Sequence, residues 1–508
     1  MKQWGSLSGL AVCVMMIGYL TGCSDEIRPT NRPKPVTPVS STTQVAKGGD
    51  GTGTTDPTTP PGQTTTTPGQ PTTPPSPPPP PTHIFLWNGK IRLGINLNAG
   101  GGITYLSDGW NGENMVNNFD LGRQLQTSIY SGPIPFTPNG KQPVAKWWAL
   151  GWNPVQTGDV YNNPSLVVTS QQIDSTRLYV KTVPYIWPLL KEPAECTMEH
   201  WIELKGNNVH VRSRTTINRR DTTQYEARAQ ELPCVYLNGP YYRMVSYTGM
   251  QPFTNDAVTE FTGESDLTPR YATENWTALL NKEGKGVGLY TPDQFRFVTG
   301  MFGRMGTGNE YDVQSSYMTS APIIVMGYND VFEYEFDLVV GTLPDIRLFA
   351  QMQPRASIAP NYRFTRNRLG WHYYNTFDQG QPDNELVIQW GRRDSTKVNF
   401  QVKSPMVFWR AGNVPKVYVQ AAFETSANTA RFSWRKPEDG DFLIQPERYV
   451  DFPITGDGEM RVYEIDLGSR AGWSGVVSQV ALEASPRSFS SAERREVLKL
   501  RSVTVSRP

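Results

Sequence analysis

The sequence predicts an all-β chain: a large β-sandwich followed by a smaller one. Three observations carry that expectation. From about residue 83 onward, short runs alternating apolar and polar side chains are separated by Gly, Pro, Asn and Asp every 8–15 residues, the punctuation of sandwiches and barrels. Helical periodicity over three or more turns is missing, and 45 Gly and 42 Pro oppose long helices. Aromatic side chains make up 11% of the chain, with 14 Trp, which suits a wide β core or surfaces that stack flat rings.

The first segment reads as an address. Lys2 precedes an apolar stretch from about Leu7 to Leu20, too short for a comfortable membrane span. It ends in Leu20-Thr21-Gly22-Cys23, which resembles the bacterial lipobox. The resemblance implies a signal peptide over residues 1–22, cleavage before Cys23 and acylation of that cysteine. Ser24-Asp25-Glu26 then resembles the surface-export signal of some bacterial lipoproteins, so the expected location is the outer membrane or cell surface, with the folded part extracytoplasmic.

Residues 23–82 read as a tether. The segment from residue 24 holds 16 prolines and threonine runs such as Thr64–Thr67, with few aliphatic side chains to offset the entropy of ordering it. The run Pro77–Pro81 favours an extended conformation of about 3.1 Å per residue. Cys196 and Cys234 then remain as a pair in an oxidising compartment, either bridged or as two buried thiols.

The large module is expected over residues 83–345. Its clearest hairpin joins Cys196–Leu204 to Val209–Ile217, with Leu204 opposite Val209. One face is then mostly apolar, and the other sets Glu199 against Arg214 and Glu203 against His210. His200 falls on the apolar face and reads as a core histidine. The many strands with aromatic and Asn/Gly-rich loops resemble the β-supersandwich of galactose-mutarotase-like proteins. Residues 346–508 carry strands at Lys416–Phe423, Ala430–Trp434, Met460–Leu467 and Leu498–Val505. The stretch Arg461–Leu467, Trp473–Val477 and Val480–Leu482 resembles the jelly-roll modules attached to many carbohydrate-active proteins.

Candidate chemistry concentrates in three segments. Residues 117–130, taken as a strand, send Asp120, Gly122, Gln124, Gln126, Ser128 and Tyr130 to one face, a row of acid, amides and hydroxyls suited to sugars. Arg123 joins the apolar face, where a buried carboxylate is its expected partner. Trp147, Trp148, Trp152 and Asn153 offer indoles for pyranose faces and an amide for hydroxyls. Arg228 and Glu231 lie near a strand end. Glycoside hydrolysis needs two carboxylates about 5–9.5 Å apart, and Asp120, Asp159 and Glu231 form the pool. These rows serve equally as structural hydrogen-bond networks and clamps.

Other templates are missing: no G-x-S-x-G, Walker loop or H-E-x-x-H occurs. No cofactor or catalytic metal is expected. Asp108–Asn114 offers oxygens for a structural calcium ion, but in a spacing unlike an EF-hand loop and equally that of a turn. A formal net charge of +1 gives no basic excess for nucleic acid, and a mean hydropathy of −0.47 excludes a many-spanning membrane protein. The expected partners are a polysaccharide or oligosaccharide and, through the lipid, a membrane. Three functions fit: a glycan-active enzyme, foremost a glycoside hydrolase; a non-catalytic glycan-binding lipoprotein; or a structural adhesin.

Overall fold

The computed structural model describes residues 82–261, 267–391, 393–394, 397, 399–439, 442, 447–484 and 496–508. The signal peptide, Cys23 and the tether lie outside the described residues.

The described chain is almost entirely β. A ten-stranded sheet runs, in spatial order, His83–Trp87, Ile91–Asn96, Gly102–Asp108, Leu125–Ser128, Glu231–Asn238, Ser315–Ser320, Arg296–Phe302 and Pro269–Tyr271, with two short strands off this path. A nine-stranded sheet runs from Thr259–Phe261 through Val331–Thr342, Asn208–Ile217 and Cys196–Lys205 to an edge at Leu166–Gln172. Alternate side chains of the two sheets meet in one core. Leu93, Ile95, Leu125, Val235, Leu237 and Met318 on one side face Ile202, Val211, Leu279, Leu289 and Leu338 on the other. Burial on this scale contributes roughly 25 cal/mol for each Å² of apolar surface removed from water.

The hairpin forms in the expected register, with Val209 opposite Leu204 and Ile217 opposite Cys196. Its charges find different partners. Arg214 Nε donates to Glu333 Oε1 at 2.6 Å, His210 Nδ1 lies 3.0 Å from Asp337 Oδ1, and Glu199 accepts from Tyr179 Oη at 2.6 Å. Both hairpin strands sit inside the sheet, so the neighbouring strands compete for these side chains. Cys196 and Cys234 are both free and buried, and they belong to different hydrophobic clusters.

Strands from residue 361 onward form two five-stranded sheets and a two-stranded ribbon, none of which pairs with a strand before residue 342. The observed strands Lys416–Glu424, Thr429–Arg435, Arg461–Asp466 and Glu496–Thr504 match the four predicted ones to within two residues at most ends. Their shared core holds Trp371, Trp390, Trp409, Trp434 and Trp473. The helix Leu343–Met352 opens on a reciprocal cap between Thr342 and Asp345. Its Arg347 makes a two-pronged contact with the buried Glu274, at 3.0 and 2.8 Å. No described helix is long and apolar enough to cross a membrane.

Candidate functional site

The ten-stranded sheet has one face in the core and one turned outward. On the strand Leu125–Ser128, Leu125 goes to the core, and Gln126 and Ser128 go to the outer face beside Cys234 and Glu231 of the next strand. A bulge between Glu231 and Cys234 shifts the register there. Residues 117–130 therefore do not form one strand: only Leu125–Ser128 is extended in the sheet, and Asp120 through Gln124 form a turn.

Two features occupy the outer face. The first is a carboxyl set among phenols. Tyr130 Oη donates to Glu231 Oε2 at 2.7 Å, and Tyr317 Oη donates to Glu231 Oε1 at 2.5 Å. Burial pushes the Glu231 carboxyl above the usual carboxylate range, while the hydroxyls of Tyr317, Tyr130 and Ser128 pull it back. The two phenols are raised well above the ordinary tyrosine value, by burial first and then by Glu231. Cys234, Tyr236, Phe302 and Leu267 pack beside Tyr317 as a closed apolar patch.

The second feature is a groove of about 950 Å³ at the far end of the same face. Seven residues of extended chain separate Asn238, in its lining, from Glu231, a distance of about 20 Å at about 3.3 Å per residue with the bulge allowed for. Amides build its floor. Asn114 Oδ1 accepts from Leu106 N and Val116 N, and its Nδ2 donates to Thr104 O and to Glu310 Oε2, stitching the 109–118 loop to the sheet and to the 303–314 loop. Asn118 Nδ2 donates to Thr104 O at 2.8 Å, and Asn238 Nδ2 to Asn114 O at 2.6 Å. These bonds fix both amides, and Asn118 Oδ1 and Asn238 Oδ1 have no hydrogen-bond partner among the described residues. The same holds for Thr104 Oγ1 and Gln124 Oε1, which also belong to the lining. Exposed rings flank this floor: Phe85 is 40% exposed, stands edge-on to Tyr105, and Tyr311 is 64% exposed. Glu113, Glu283 and Glu310 complete the lining with Lys282, whose ammonium lies 3.5 Å from Glu283 Oε1.

The predicted residues divide between these features and the scaffold. Gln124 reaches the groove, and Tyr130 meets Glu231. Trp147 is 6% exposed and packs on Tyr130 and Leu150. Arg228 is buried, lies 5.6 Å from the Tyr130 ring, and donates to the carbonyls of Ser131, Leu150 and Ala149, so it braces a loop. Burial lowers its guanidinium to about 10.

The remainder have structural partners. Gln126 Oε1 accepts from Thr157 N and its Nε2 donates to Leu121 O. Asn153 Nδ2 donates to Ser128 Oγ and Ile129 O. Asp159 is fully buried and accepts from the backbone of Tyr161, Asn163 and Lys191 and from the Asn163 amide, which pins a loop. Trp152 is 1% exposed under the guanidinium of Arg219, while Trp148 is 41% exposed. Asp120 caps Gly122 N at 2.8 Å and lies 3.6 Å from Arg123 Nε, the carboxylate expected for that arginine, although its side chain is 24% exposed rather than buried. No hydrogen bond or ion pair joins Asp120, Asp159 and Glu231 to one another among the described residues. The hairpin His200 has its imidazole lowered to about 4 by burial and pairs with Ser213 Oγ. Among the described residues no group of three His, Cys, Asp or Glu is placed to hold a metal ion.

Compared as a sequence, the chain matches no protein-family profile and no curated protein. As a structure it is similar over about half its length to several solved proteins. A galactose mutarotase-like protein from Lactobacillus casei is 10% identical over 51% of this chain and 99% of its own, with a TM-score of 0.33. A galactose mutarotase related enzyme from Lactobacillus acidophilus is 9% identical over 51% and 97%, with a TM-score of 0.34. A GH36 alpha-galactosidase from Geobacillus stearothermophilus is 10% identical over 52% and 41%, with a TM-score of 0.31.

Glu283 and Glu310 escape sequence reasoning, and the Glu113 loop reads only as a calcium site or a turn. Each sits in a separate Asn/Gly-bearing loop that reads alone as a turn. The common signal was the repeated pairing of Asn with an aromatic or acidic neighbour, as in Asn238-Gly239-Pro240-Tyr241 and Asn309-Glu310-Tyr311.

Proposed function

We propose that this chain is a glycan-binding lipoprotein. Lipid on Cys23 anchors it at the outer membrane or cell surface, the 23–82 tether extends it outward, and the outer-face groove holds a carbohydrate chain. One observation carries the reading: a groove lined by amide side chains lies between exposed aromatic rings. Sugars present hydroxyls, which donate and accept in fixed directions, and flat C–H faces, which stack on rings. Amides and phenyl groups supply both needs.

Affinity electrophoresis and calorimetry against a polysaccharide panel test this. The wild type binds at least one glycan, and Phe85→Ala with Tyr311→Ala weakens it about tenfold, a loss of about 1.4 kcal/mol. Both rings are exposed, so the fold tolerates their removal. A panel without any binder, or a double variant that binds as well as wild type, sinks the proposal. The anchor has its own check: radiolabelled fatty acid is incorporated into the wild type and not into Cys23→Ser.

A second reading, glycoside cleavage, is favoured by Glu231, whose raised carboxyl suits a general acid. Against it stands the position of Glu231 away from the groove and among phenols rather than beside a second carboxylate. New reducing ends released by the wild type and abolished by Glu231→Gln would favour cleavage over capture.

A further inference from the structure

We infer that the groove selects glycans whose substituents donate hydrogen bonds or carry positive charge, that is neutral and amino glycans, and rejects those bearing uronate or sulfate. The inference rests on the glycan-binding reading and specifies its ligand.

Its first support is the polarity of the floor. Asn118 and Asn238 turn their amide nitrogens to Thr104 O and Asn114 O, which leaves their oxygens as the uncommitted ends. An oxygen needs a donor. Hydroxyl, acetamido N–H and ammonium groups provide one; a carboxylate or sulfate group itself does not, so the floor favours donors and the discrimination against uronate and sulfate comes from charge.

The second support is charge. Glu113, Glu283 and Glu310 line the groove against the single ammonium of Lys282, which already lies beside Glu283. His83 adds no countercharge at neutral pH, because burial lowers its imidazole from the ordinary value. Arg92 is occupied by rings, with its guanidinium 4.2 Å from the Phe85 ring centre and 4.6 Å from that of Trp110. The phenol of Tyr241, in the lining, is pushed up to about 12 by burial and then by Glu113, Asp108 and Glu283, so negative potential reaches the wall. A uronate entering here would meet like charge at short range, where salt screens incompletely within a Debye length of about 8 Å.

A glycan array carrying neutral, amino, uronate and sulfated oligosaccharides tests this on the full folded chain. The strongest binders are expected to be neutral or amino glycans. Amino-glycan binding should weaken with added salt. The double variant Glu113→Gln/Glu283→Gln should raise affinity for uronate members relative to neutral ones by about tenfold, as the removal of two exposed like charges implies. Both side chains are exposed, and an unchanged melting curve confirms the fold. Uronate or sulfated members among the strongest wild-type binders, or a double variant with the wild-type ranking, overturn the inference and leave glycan binding intact. If no array member binds, the glycan-binding reading fails and takes the inference with it.

Discussion

Tyr130 and Glu231 are joined by a hydrogen bond of 2.7 Å between a phenol and a carboxyl, on neighbouring segments about a hundred residues apart in sequence. The carboxyl has no arginine or lysine partner among the described residues, and hydroxyls alone support it. Burial raises its proton affinity above that of an unfolded glutamate. A carboxyl raised on folding favours the folded state when protonated. That contribution is complete below the unfolded value and is lost as pH rises through the raised one. Comparing melting temperatures of wild type and Glu231→Gln from about pH 4 to about pH 8 isolates this site. Wild type should lead at acid pH and lose its advantage as pH rises. A constant difference across the range would show that the carboxyl is not perturbed.

His200 should act in the opposite sense. It is buried beside Ser213, and its imidazole is lowered to about 4. A base lowered on folding contributes stability above its unfolded value of about 6.5, and that stability fades as pH falls toward the folded one. The full effect is about 3 kcal/mol. His200→Gln should therefore flatten the acid limb of the stability curve between about pH 6.5 and about pH 4 while leaving glycan binding unchanged. An unchanged acid limb would contradict the burial argument.

The contrast between legible and illegible parts follows from range. The hairpin Cys196–Lys205 with Asn208–Ile217 was readable because its register needs only a short turn and a period of two. Strands near the C-terminus were readable as strands from the period of two alone, although their partners lie about forty to eighty residues away. The partners of Arg214 and His210 were not, since Glu333 and Asp337 arrive from a strand more than a hundred residues later, and Glu199 is taken by Tyr179 of the strand on its other side. The groove was least readable of all. Asn114, Glu283 and Glu310 come from three separate loops and Asn238 from a strand end, and the bonds that bring them together, Asn114 to Glu310 and Asn238 to Asn114, span more than a hundred residues. Reading 117–130 as one strand failed because Asp120 caps Gly122 and turns the chain before the sheet begins. Alternation alone does not reveal where a ladder starts.

Two tryptophans from one sequence cluster should behave in opposite ways. Trp152 is sealed in a core with Ile129, Leu189 and Met198, whereas Trp148 is largely open. Trp152→Ala should cost about 3–5 kcal/mol in chemical denaturation, the usual loss for a buried ring. Trp148→Ala should change stability by less than about 0.5 kcal/mol. It should also leave groove binding intact, since Trp148 does not line the groove. A tenfold loss of glycan affinity in Trp148→Ala would move the binding surface to the 145–150 turn.

Arg368 should be the most sensitive polar position. Its guanidinium reaches Asp378 at 2.5 Å and Asp330 at 2.6 Å, and Tyr373 Oη donates to the same Asp378 at 2.8 Å. Asp330 immediately precedes the strand Val331–Thr342 of the first sandwich, while Arg368, Tyr373 and Asp378 belong to the C-terminal half, so this buried knot joins the two halves. Gln224 tightens it by accepting from Asp378 N at 2.9 Å. Arg368→Met removes the cation and leaves two carboxylates with little solvent. Breaking a buried pair in this way costs about 3–5 kcal/mol. Urea denaturation of Arg368→Met should show that loss, and Asp378→Asn added to it should restore part of it by removing one stranded charge. If the double variant is no more stable than Arg368→Met, shape rather than charge holds the junction.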